Sequence, residues 1–135
     1  MRTHIALTML MFTLVLGLPR AHARLADPFI GKWKVTITPD EDARKSEREM
    51  KDTLVFQGDK FWSEAFTKRG FERATYEEDT RRMGPAKFTV SASSDKEGTM
   101  KWLGIVDAGS ISGEIVWTKK DGTEAHFTFK GDRQP

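Results

Sequence analysis

From residue 32 onward the chain alternates apolar and polar residues in short runs divided by turn residues. Lys32-Trp33-Lys34-Val35-Thr36-Ile37-Thr38 alternates strictly, the period of a half-buried strand with Trp33, Val35 and Ile37 inward. A second run, 52–57, turns Leu54 and Phe56 inward. A third, 61–66, has mixed facing, because Phe61, Trp62 and Phe66 do not share one parity. Residues 73–80 form a weak fourth run, carried by Thr75 and Tyr76. Residues 87–93 place Phe88, Val90 and Ala92 inward. Residues 99–106 set Met100, Trp102 and Gly104 on one face and Leu103 and Ile105 on the other. Residues 110–118 align Ile111, Gly113, Ile115 and Trp117, and residues 123–130 align Ala125, Phe127 and Phe129.

The links between these runs are short. Gly58-Asp59, Asp95-Lys96-Glu97-Gly98, Asp107-Ala108-Gly109 and Asp121-Gly122 carry the residue types that turns select. Eight strands joined this way predict an all-β meander, an eight-stranded antiparallel up-and-down barrel. A two-sheet β-sandwich is the alternative, since alternating strands look alike in both. A turn at 107–109 places Trp102 opposite residue 114 and Trp117 opposite residue 99. The one long connection, 39–50, reads as a short helix or charged loop. Thr38-Pro39-Asp40-Glu41 has capping-box form, with Thr38 at N-cap, Pro39 at N1 and Glu41 at N3. Its apolar face is Ala43 and Met50 alone, and such a helix is placed to act as a lid.

Residues 1–23 follow a different pattern. Arg2 precedes a nearly unbroken apolar run from Ile5 to Leu18, then Pro19 and Ala21-His22-Ala23. This is the arrangement of a secretory signal peptide, with cleavage expected after Ala23. The run is about 21 Å long as a helix, short of a hydrocarbon core of roughly 30 Å. The expectation is a single β-barrel domain, 24–135, exported to the periplasm or medium and not held in a membrane after cleavage. Its composition agrees with β structure: three Leu against eleven Thr, eight Phe and four Trp. Residues 24–135 hold twenty Lys and Arg and twenty Asp and Glu, a net charge of zero, which speaks against a nucleic-acid partner.

Gly31-Lys32-Trp33 at the start of an eight-strand meander resembles the G-x-W opening of the lipocalin-like, calycin-type barrels. The resemblance implies that Trp33, introduced by Gly31, closes one end of the barrel. It also implies that a basic side chain near the end of the last strand, Lys130 or Arg133, packs across the indole.

The residue inventory narrows the chemistry. The chain has no cysteine, and residues 24–135 contain one histidine, His126, expected to point outward between Ala125 and Phe127. Thiol catalysis and multi-His metal sites are thereby excluded, and no metal or cofactor is expected. Glu77 and Asp79 can share a strand face while Glu78 does not. Such a carboxylate pair is the hydrolase reading, the weakest of three. The leading reading is non-enzymatic binding of a small apolar ligand. Trp33, Phe56, Phe88, Trp102, Ile115, Trp117, Phe127 and Phe129 face one interior, and eight strands enclose room for side chains or one small ligand. The alternative is a cell-envelope protein-interaction or inhibitor module with a filled barrel, presenting Trp62, Leu103, Ile105 and Val116 as an outer patch.

Overall fold

A computed structural model describes residues 27–79 and 84–135. The expected leader and its cleavage point lie outside the described residues. Eight strands follow in order: β1 (Gly31–Pro39), β2 (Met50–Gln57), β3 (Lys60–Ser63), β4 (Ala74–Asp79), β5 (Ala86–Ser94), β6 (Gly98–Asp107), β7 (Ser110–Thr118) and β8 (Glu124–Arg133). Each pairs antiparallel with its sequence neighbours, and β1 also pairs with β8 from Trp33↔Arg133 to Pro39↔Phe127. That last seam closes the barrel and removes the sandwich alternative. The predicted inward residues of β1, β5, β6, β7 and β8 lie inside, because a closed sheet has one dry face.

Two glycines make room for the rings. Gly104 and Gly113 stand directly opposite each other on β6 and β7. A Cβ on Gly104 would sit 2.4 Å from Phe88 Cε1, and one on Gly113 would sit 2.7 Å from Phe129 Cζ. The missing side chains are replaced by neighbouring aromatics.

Three sequence expectations change. The helix at 39–50 is a single 3-10 turn, Ala43–Lys45. Pro39 is instead the last residue of β1, where its lack of an N–H is tolerated. The N-cap moves to Asp42, which makes no side-chain cap bond, while Asp40 Oδ1 accepts from the Ala43 N–H at 2.8 Å. With Ala43 as the only buried residue of that turn, nothing holds a longer helix to the barrel. The third strand ends at Ser63, and residues Glu64–Thr67 form a one-turn helix, α1. Ser63 is its N-cap, its Oγ accepting from the Phe66 N–H at 3.1 Å. Finally, the β6–β7 turn has two residues. Ala108 (φ 47°) and Gly109 (φ 87°) are both left-handed, and Asp107 pairs with Ser110. Trp102 therefore faces Ile115 and Trp117 faces Met100, one residue off the three-residue-turn register.

Candidate functional site: the barrel interior and its two ends

All eight expected interior residues, Trp33, Phe56, Phe88, Trp102, Ile115, Trp117, Phe127 and Phe129, are at most 2% exposed. Sequence reasoning missed five more: Phe29, Phe61, Phe66, Phe71 and Tyr76, all buried. Ten of these thirteen side chains, all but Trp33, Ile115 and Phe127, form a connected column of rings. Phe29 stacks on Phe56 at 5.7 Å between centroids, Phe56 meets Phe61 at 5.0 Å, and Phe61 meets Trp102 at 5.0 Å. Trp102 then meets Phe66 at 6.0 Å, and Phe71 packs on Trp117 at 6.0 Å. Most of these pairs are edge-to-face or tilted, the arrangement ring quadrupoles favour.

One end of the column is closed around Trp33. Its indole Nε1 donates to the Phe29 carbonyl at 2.9 Å. The Arg133 guanidinium lies 4.4 Å from the indole centroid and donates to the carbonyls of Ile30 and Pro28. Of the two cations that the resemblance offered, only Arg133 takes this place. Lys130 has the parity of His126 and Thr128 and points outward, whereas Arg133 continues the inward parity of Phe127 and Phe129 to the rim. Nearby, the Tyr76 hydroxyl donates to Asp27 Oδ2 at 3.0 Å and to the Gly58 carbonyl at 3.1 Å. Burial, then the hydrogen bond and charge of Asp27, push the Tyr76 hydroxyl up. The same two influences, in the same order, raise the Glu78 carboxyl. Asp27 precedes every strand pattern, so periodicity could not place it here.

The other end is closed by α1 and the loop after it, with Ala43 and Glu47 of the 39–50 connection at its margin. Phe66 and Phe71 seal it over Trp117, whose Nε1 donates to the Glu97 carbonyl at 2.7 Å. Arg69 lies 4.5 Å from the Trp117 centroid and Lys119 lies 4.9 Å away. Glu47 bridges the two cations at 3.6 and 3.7 Å. Two cations thus stand at the rim of the aromatic interior.

Asp52 holds α1 in place. Its carboxylate accepts from the Ser63 hydroxyl and from the Ala65 N–H at 2.9 Å, besides the Thr53 N–H at 2.7 Å. Burial pushes its pKa above the usual value, and those three hydrogen bonds oppose the shift.

The remaining candidates lie on the outer wall. Glu77 and Asp79 share the exposed face of β4 as expected. Glu77 borders a shallow depression of about 290 Å³ with Thr75, Thr89, Ser91 and Lys101, which Asp79 does not line. His126 points outward, its Nε2 3.0 Å from Glu124 Oε2. Trp62 does not join Leu103, Ile105 and Val116. It lies on β3 under the Arg73 guanidinium, 3.9 Å away, with β4 and β5 between it and β6. Leu103 (49% exposed) and Ile105 (38%) remain as an aliphatic strip beside the half-buried Val116. Among the described residues no cluster of His, Cys, Asp and Glu could hold a metal ion, and no helix is long and apolar enough to cross a membrane.

The fold and the two closures define a small, closed, eight-stranded antiparallel barrel with an aromatic interior. No protein-family model, curated protein or solved structure matches the chain.

Proposed function

We propose that the protein is an exported, non-enzymatic binding module of lipocalin-like type, with a filled barrel and its partner contacts on the outer wall. The observation that supports this most is the unbroken ring column. Rings at 5–6 Å between centroids are in van der Waals contact, which favours side chains over a guest as the filling of the interior. The strip of Leu103, Ile105 and Val116 is the apolar part of that wall and fits a protein surface. Relation to the calycin group is part of the proposal, supported by Gly31-Lys32-Trp33 and by Arg133 over the indole.

The carrier reading takes a definite form here. A small apolar ligand would enter beside Trp117 and displace Phe66 and Phe71. What favours this route is that the cover is a one-turn helix, latched at its edge by side-chain ion pairs. Titration with a neutral hydrophobic fluorophore separates the two. The filled barrel gives no saturable change in tryptophan emission. A saturable change that Trp117→Ala weakens would establish the carrier instead. N-terminal sequencing of protein from its own host checks export, with Arg24 or a neighbour expected first.

A further inference from the structure

The zero net charge of residues 24–135 conceals a segregated surface. The outward positions of β2, β1, β8 and β7 fall in register as Lys51, Thr36, Lys130 and Ser112. In the next row Lys34 stands opposite Asp132, which stands opposite Ser110. These residues line an open groove of about 720 Å³. An adjoining groove of about 430 Å³ shares Lys34 and Lys51 and adds Lys68 and Glu64. Four ammonium groups therefore border one continuous trough.

Asp132 and Glu64 border the same trough and offset part of this charge without closing an ion pair. Among the described residues, no carboxylate makes an ion pair with Lys34, Lys51, Lys68 or Lys130. Asp52 follows Lys51 in sequence, but its oxygens are turned into the cap of α1. Lys51 Nζ reaches only the Thr36 hydroxyl, at 2.7 Å. Lys51 and Lys130 flank Thr36 on its two neighbouring strands, so their backbones lie about 10 Å apart. Like charges held this close repel, and an anion between them relieves that repulsion.

We infer that this trough binds an acidic polysaccharide, a chain carrying carboxylate or sulfate groups among free hydroxyls. The ammonium groups supply the charge complement. The hydroxyls of Thr36, Ser110 and Ser112 both donate and accept, and Asp132 accepts from sugar hydroxyls. That carboxylate, with Ser110 Oγ 3.3 Å from it, would repel a chain made only of phosphates. β3 pairs with β2 only from Leu54 to Gln57, and α1 lies beside the remaining edge of β2, so an acidic peptide finds at most a short edge for main-chain pairing. No aromatic side chain lines the trough to stack on a nucleobase. Of the exposed aliphatics, Ile105 stands opposite Ser112 at the margin of the trough, while Leu103 and Ile30 lie outside its lining, so an anionic membrane is the competing occupant that the vesicle arm tests.

The test uses the leaderless chain, which contains the whole barrel, and sodium polygalacturonate at low ionic strength, with dextran, polyphosphate, polyglutamate and anionic phospholipid vesicles as competitors. Saturable binding of polygalacturonate and not dextran is expected, falling as salt is raised. The triple variant Lys34→Gln/Lys51→Gln/Lys130→Gln should weaken it by about tenfold or more. The triple Lys87→Gln/Lys96→Gln/Lys101→Gln, with the same change in net charge on β5, β6 and their turn, should leave binding unchanged. Thermal melts establish that both triples fold. Equal loss in the two triples, no saturable binding, or a competitor binding as tightly as polygalacturonate would overturn the inference. The result is independent of the ring column and of the aliphatic strip, so either proposal can fail alone.

Discussion

The two ends of the barrel are closed by the same pair of groups, held in different ways. At each end an indole N–H donates to a loop carbonyl, Trp33 to Phe29 and Trp117 to Glu97. At each end an arginine covers the indole, at 4.4 and 4.5 Å from the ring centroid. Arg133 then spends its donors on the backbone carbonyls of Ile30 and Pro28, which the chain itself fixes. Arg69 instead pairs with the side chain of Glu47, at 3.6 Å in a half-buried contact. The difference teaches that one closure is tied to backbone carbonyls that the chain fixes, while the other rests on a one-turn helix and partly buried side-chain charges. The first should open only with global unfolding, and the second should open locally.

The strongest way to break this comparison is to remove the indole at the fixed end. Trp33→Ala should cost about 3–5 kcal/mol, the range for deleting a large buried aromatic, and most of a small domain's stability. A melting temperature unchanged within error would show that this end is not anchored by Trp33.

Next in size is the cap of α1. Asp52→Ala leaves the Ser63 hydroxyl and Ala65 N–H without their acceptor and should cost about 1–3 kcal/mol. Amide exchange should quicken first between residues 64 and 73, with the strands near Trp33 unaffected. The same carboxyl gives a pH dependence. Its folded pKa lies above the ordinary 3.8, so the native state holds the proton more tightly. Its stabilising contribution is complete below about pH 3.8 and is lost as pH rises through the raised value. Asp52→Asn should remove that decline, leaving the one from Glu78, which has the same sign. A profile identical to the parent's would place the proton elsewhere.

Exchanging the covers sharpens the comparison further. Arg133→Ala should lower stability by about 1–2 kcal/mol and keep most of that loss in 1 M salt, since its carbonyl partners are dipoles fixed in place. Arg69→Ala should cost under about 1 kcal/mol, and molar salt should erase part of it. Smallest of all, Glu47→Gln should change global stability by no more than about 0.5 kcal/mol, while raising local exchange at Phe66 and Phe71 at low salt only. Equal salt responses at Arg133 and Arg69 would remove the distinction between the ends.

Much of this architecture was legible before any coordinates. Strict alternation in β1, β5, β7 and β8 named their inward residues, because only one parity can be dry in a closed sheet. Parity carried further than it was taken. Residues directly opposed across a strand pair point to the same side, so Trp102 had to face Ile115 rather than Glu114. Applied to β8, the same rule selects Arg133 over Lys130. Mixed parity at Phe61, Trp62 and Phe66 was itself the sign that a strand ended there, and Ser63-Glu64 supplied the helix start. At 39–50 the capping pattern misled, since local propensity does not hold a helix that has no apolar face to bury.

The sequence alone determined the number of strands, the β class and the facing of most strands, which follow from short-range periodicity, while the closure by Trp33 was what the G-x-W resemblance implied. Only the tertiary structure decided which segment covers the second end, that Asp27 reaches Tyr76, and that neutral overall charge divides into a lysine-lined trough. Those depend on where distant residues meet around a closed circumference. Periodicity gives each strand's inside and outside, but it carries no information about which outside positions become neighbours.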